Sequence, residues 1–66
     1  MGVVMPDYLQ RVWDLVAEGH SNKEIAYRLE LSEQSVKNYA HTLMGLTQTA
    51  NRTALAIAHP RYAKCR

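Results

Sequence analysis

Gln34, Lys37, Asn38 and His41 follow one another at i, i+3, i+4 and i+7, with Gly45 at i+11, which lines them along one face of a single helix. That face is polar, uncluttered and cationic. Side-chain amides carry a donor and an acceptor side by side and can pair bidentately with adenine, while a lysine ammonium reaches the acceptors of guanine. A second group, Ser21, Asn22 and Lys23, stands together at a helix start, where free backbone amides and an ammonium suit a phosphate. Ser35 and Arg52 are further candidates for holding a nucleic-acid backbone on either side. For each side chain taken singly, the plain alternative is a solvated surface position. Glu33 has two readings, an acceptor for cytosine or a favourable charge at a helix N-terminus, and the second is preferred.

Positioning these groups requires two short helices joined by a tight turn. In S-N-K-E, Ser21 can cap the free amides while Glu24 reaches back to the cap's own N–H, the capping-box pattern. The helix that follows, from about Asn22 to Leu29, buries Ile25, Ala26 and Leu29. Ser32 offers a second cap, and Val36, Ala40 and Leu43 recur at spacings of four and three along a helix from about Glu33 to Met44. Gly45 either stops that helix or weakens it by about 1 kcal/mol. Two amphipathic helices meeting at Leu29-Glu30-Leu31 form a helix-turn-helix, and the core takes the face opposite Gln34, Lys37, Asn38 and His41. Ahead of them, Pro6 suits the first turn of a helix, Asp7 favours its positive end, and Leu9, Val12, Trp13 and Val16 form a core-facing stripe that Gly19 ends. A fourth helix starts after an Asn51 cap and stops before Pro60. Its Ala54-Leu55-Ala56-Ile57-Ala58 run is apolar all round, so it needs two apolar neighbours.

The segments Val16 to Ala26 (V-A-E-G-H-S-N-K-E-I-A), Ser35 to Asn38 (S-V-K-N) and Asn51 to Ala54 (N-R-T-A) resemble the LuxR/GerE-type helix-turn-helix family. The likeness runs without a gap from about Val12 to Ala58, and sigma-factor region 4 shares its outline. The resemblance implies an all-α domain of four helices with the third as recognition helix. It also implies phosphate and base contacts at positions such as Lys23, Ser35 and Lys37, and a dimer contact on the last helix, with Leu55, Ala58 and their neighbours as candidates. Members usually carry a sensing or phosphoacceptor domain ahead of this module, so the chain is expected to be either a stand-alone, GerE-like regulator or an excised domain. Several positions depart from the pattern, among them Leu9, where a Glu is common near the start of the first helix. Glu30 stands where the family places glycine in the turn, and a non-glycine residue at positive φ costs about 1–2 kcal/mol. Ser35 stands for Thr and keeps the hydroxyl; Tyr39 replaces His and adds a ring; and Gly45-Leu46-Thr47-Gln48 replaces a basic run.

Sixty-six residues make one domain, read as an N-terminal segment 1–5, a helix-turn-helix domain 6–60 and a basic tail 61–66. A chain this short buries only about 60% of its unfolded surface, and dimerisation is the expected help. The hydrophobic content of 47% argues against disorder, and no apolar stretch approaches a membrane span. The first five residues are too short for a signal peptide, so a cytoplasmic location is expected. Net charge is only +2, but residues 1–33 hold all six acids against three bases, whereas residues 34–66 hold five bases and no acid. The second half is therefore the side that suits a polyanion. His20, His41 and His59 are too far apart for a helical metal pair, and Cys65 cannot form an internal disulfide; no metal or other cofactor is expected. No glycine-rich phosphate loop or nucleophile elbow occurs, which leaves no enzymatic reading. The resulting expectation is a sequence-specific regulator that binds double-stranded DNA as a homodimer through its last helix. The alternative is a helix-turn-helix-derived module that binds another regulator or an RNA polymerase subunit. Tyr39, Leu46 and the modest net charge favour the alternative; the two readings differ in the salt dependence of binding.

Overall fold

The computed structural model describes residues 5–60, which form four helices and no strand. They are α1 (Asp7–Ala17), α2 (Asn22–Leu29), α3 (Glu33–Thr47) and α4 (Arg52–Ile57). The tail 61–66, with Arg61, Lys64, Cys65 and Arg66, and residues 1–4 lie outside the described residues.

The helix starts follow the caps written in the sequence. Ser21 Oγ accepts from the Glu24 amide at 3.2 Å, and Glu24 Oε1 accepts in return from the Ser21 amide at 3.3 Å, so both halves of the capping box are made. Ser32 Oγ caps α3 by accepting from the Ser35 amide, and Asn51 Oδ1 caps α4 by accepting from the Ala54 amide. Pro6 precedes α1 as its N-cap in extended conformation and makes no side-chain cap. Gly19, at φ 96, takes the chain out of α1, with the His20 amide closing onto the Leu15 carbonyl.

The turn between α2 and α3 keeps the left-handed geometry despite lacking glycine. Glu30 sits at φ 58 and ψ 45, and the Leu31 amide donates back to the Ala26 carbonyl at 2.8 Å. Buried Ile25 and Ala26 behind the turn and half-buried Leu31 beyond it hold the conformation against its steric cost.

Gly45 does not stop α3. The helix runs three residues past Met44 and ends where Gln48 turns left-handed at φ 56 and the Thr49 amide closes onto the Met44 carbonyl. Thr47 Oγ1 donates to the Leu43 carbonyl at 2.8 Å, and Leu43 is wholly buried, so the last turn is anchored on both sides of the glycine.

The core gathers Leu9, Val12, Trp13 and Val16 from α1, Ile25 and Ala26 from α2, Val36 and Leu43 from α3, and Leu55 from α4. Leu29 lies at its edge, half-buried. The two apolar neighbours that α4 needs are α1 and α3. Trp13 is a core residue whose indole Nε1–H donates to the Leu55 carbonyl at 2.9 Å. At the end of α4, His59 Nε2 lies 2.6 Å from Asp14 Oδ1, and its ring meets the Trp13 ring edge-on at 5.0 Å. Tyr39, half-buried on α3, packs its ring against Tyr8 of α1 with centroids 5.2 Å apart.

Candidate nucleic-acid interface

With Val36, Ala40 and Leu43 turned into the core, the opposite side of α3 faces outward, and Gln34, Lys37, Asn38 and His41 are all exposed along it. Gly45 continues the same face and is exposed. A Cβ built at Gly45 meets nothing within 4 Å. No acid follows Glu33 in the sequence, so carboxylates are absent from the rest of this helix.

Two of these side chains are coupled. Gln34 Nε2 donates to Asn38 Oδ1 at 3.1 Å, an i,i+4 bond along the face. That bond uses one of the two lone pairs of the Asn38 oxygen, so Asn38 keeps an acceptor site and its two N–H donors, while Gln34 keeps its oxygen and one N–H. Among the described residues, no hydrogen bond or ion pair holds Lys23, Lys37 or His41, which leaves their side chains available. Ser35 is half-buried, and its Oγ accepts from Ser32 Oγ at 3.0 Å.

The start of α2 is a tighter structure than the sequence suggests. The His20 ring bridges two carboxylates, with Nε2 at 3.3 Å from Glu18 Oε1 and Nδ1 at 3.3 Å from Glu24 Oε1. The Glu24 carboxyl is held below its ordinary range, first by the Ser21 backbone N–H and then by His20. Arg52 completes the cluster from α4. Its Nη1 donates to Asn22 Oδ1, and its Nη2 donates to the His20 carbonyl at 2.6 Å. Ser21 and Lys23 are exposed; Asn22 and Arg52 are half-buried.

The structure thus joins Arg52 to Asn22 and Gln34 to Asn38. It separates one residue from the surface altogether: Leu55 has no exposed surface, because it fills the space between α1 and α3. Its candidacy for a subunit contact is therefore corrected. The exposed apolar side chain of α4 is Ile57, 61% exposed, with exposed Ala58 beside it. Helical spacing alone could not tell which side of an all-apolar run faces inward. The bond from Arg52 to Asn22, thirty residues apart, also has no signal in periodicity. Tyr27, 86% exposed on α2, lines a surface depression with Lys23, Glu24 and Arg28.

The fold and this face together define a helix-turn-helix module whose second helix offers a polar edge with no acid beyond its first residue, Glu33. The family model described as "Bacterial regulatory proteins, luxR family" matches residues 10–59, most of the chain, and the protein belongs to that family. Over 49 residues the chain is 43% identical to the "Two-component response regulator PprB" of Pseudomonas aeruginosa, covering 74% of this chain and 18% of that protein. Over 47 residues it is 40% identical to the "Uncharacterized transcriptional regulatory protein YhcZ" of Bacillus subtilis, covering 71% of this chain and 22% of that protein. The chain spans about a fifth of the length of these curated relatives. No solved structure matches it.

Proposed function

We propose that this chain is a sequence-specific binder of double-stranded DNA that regulates transcription. The observation that carries the reading is the exposed row Gln34, Lys37, Asn38 and His41 on a helix whose opposite side is locked into the core. An α-helix is about 10–12 Å across with its side chains, and the major groove is about 12 Å wide, so α3 fits it as an inserted element. Gln34, with both an acceptor and a donor still available, is suited to pair bidentately with adenine. Asn38, with its two N–H donors and one lone pair of its oxygen available, can meet a base edge beside it. Lys37 reaches guanine acceptors and His41 extends the row. Ser21, Asn22 and Lys23 at the entry to α2 hold a backbone phosphate, and Ser35 holds the backbone near the start of α3. Arg52 acts from behind this contact.

Pairing of two copies through Ile57 and Ala58 places two recognition helices on a two-fold related site, one in each half-site. Exposed Ile57, with exposed Ala58 beside it, is the apolar surface this pairing would use. No part of the reading requires a cofactor or catalysis, and no helix among the described residues is long and apolar enough to cross a membrane.

A second reading, a module that binds another regulator or an RNA polymerase subunit, draws on exposed Tyr27 and on Leu46, which is 40% exposed at a helix end without cations. Fluorescence anisotropy against duplex DNA at two salt concentrations separates the two. DNA binding should weaken by roughly one power of salt per phosphate neutralised, whereas an apolar protein contact should hardly respond. Lys37→Ala should cost about 1–3 kcal/mol on the preferred sequence and much less on others. Equal losses on every sequence would remove Lys37 as a reader, and no binding at low salt would favour the second reading.

A further inference from the structure

Lys37 and Arg52 are the bases of the charge-rich half that lie within the described residues, and they are used differently. Lys37 is exposed, while Arg52 is half-buried with both terminal nitrogens bonded inside the protein. The Arg52 fork spans two acceptors on either side of Ser21: the carbonyl of His20 and the side-chain oxygen of Asn22. A guanidinium has donors only, so its bond to Asn22 settles which end of that amide faces it. The oxygen faces Arg52 and the Nδ2 group points away. Among the described residues, nothing accepts from Nδ2. Asn22 is therefore a pre-oriented donor.

We propose that Arg52 is a positioning residue for the DNA contact of Asn22, fixing the amide so that Nδ2 donates to a backbone phosphate, and does not itself contact the phosphate. This inference rests on the DNA-binding reading above. It departs from the simplest use of Arg52 as a surface cation. A lysine could not replace it, because a single ammonium on a flexible stem does not hold two acceptors in one plane. The same fork ties α4 to the entry of α2, so the helix proposed to carry the dimer contact also supports the phosphate donor.

The two roles for Arg52 predict opposite results for Arg52→Lys, and Asn22→Asp tests the donor that Arg52 is proposed to hold. Asn22→Asp keeps an oxygen for Arg52 and makes the bond charge-assisted, so the fold is retained. The new group cannot donate and carries a negative charge toward the phosphate. Arg52→Lys keeps the charge and loses the fork. Duplex-DNA affinity by anisotropy and thermal melting by circular dichroism are measured for the wild type, Asn22→Asp and Arg52→Lys. The expected result is a melting temperature for Asn22→Asp equal to or above that of the wild type, with affinity reduced by about tenfold or more. Arg52→Lys should lose a comparable share of affinity despite its retained charge. Asn22→Asp binding as tightly as wild type, or Arg52→Lys retaining full affinity, would overturn the positioning role while leaving the DNA reading intact. Absence of DNA binding by the wild type would overturn both. Asn22→Asp binding as tightly as wild type overturns the role even where Arg52→Lys lowers the melting temperature.

Discussion

Replacing Glu30 by glycine should stabilise this protein, because Glu30 holds a left-handed conformation that its Cβ disfavours. The residue sits at φ 58 and ψ 45, where a side chain other than glycine costs about 1–2 kcal/mol. Against this relief stands the greater freedom that glycine gives the unfolded chain, about 0.4–1 kcal/mol. Glu30 is exposed, so no packing is lost with its side chain. The net expectation is a gain of roughly 0.5–1 kcal/mol, or a melting temperature higher by about 2–8 °C in a domain of this size. Glu30 also places a carboxylate at a helix C-terminus, where removing the charge alone yields a few tenths of a kcal/mol. Glu30→Gln isolates that part, since it keeps the Cβ and loses the charge. Thermal melting of the wild type, Glu30→Gly and Glu30→Gln by circular dichroism gives the comparison. A glycine variant no more stable than wild type, or a glutamine variant that matches it, would refute the backbone argument.

Four further outcomes follow from the packing and the caps. Because the folded Glu24 carboxyl titrates below its ordinary value of 4.5, its contribution is fully present above that value and is lost as pH falls through the lowered one; Glu24→Gln should flatten that acid limb in urea unfolding followed across pH. Gly45→Ala should stabilise α3 by about 0.5–1 kcal/mol, since the added methyl meets only open space, and chemical denaturation would show it as a raised midpoint. Ile57→Glu should abolish the proposed dimer in sedimentation while the single chain keeps its helix content by circular dichroism, whereas Leu55→Ala should cost about 2–5 kcal/mol through its core cavity and unfold much of the protein.

What could be read from the sequence was local. Ser21, Ser32 and Asn51 announced three helix starts, because a cap and its free amides lie within three residues of each other. The stripes Leu9-Val12-Trp13-Val16 and Val36-Ala40-Leu43 located the core, and with it the outward face of α3. The left-handed turn at Glu30 went against local preference, since packing on both sides of it outweighed its steric cost. The end of α3 was set by Thr47 and Gln48 rather than by Gly45, as a side-chain bond and a closing amide offset the glycine's weakness. Leu55 and Ile57 show the limit of pattern reading: in the apolar run from Ala54 to Ala58, only the neighbours α1 and α3 decide which side is buried. The bridges from Arg52 to Asn22 and from His59 to Asp14 join residues far apart in the chain, and no spacing rule reaches them.

The central claim is that the outward face of α3 enters a DNA groove, and the most direct test is to follow backbone and side-chain amide resonances of the labelled protein while duplex DNA is added. The account predicts that shifts concentrate on Gln34, Lys37, Asn38 and His41 and on Ser21 to Lys23, and saturate with added duplex. Shifts centred instead on Tyr27, Leu46 or α4, or no change at low salt, would contradict it.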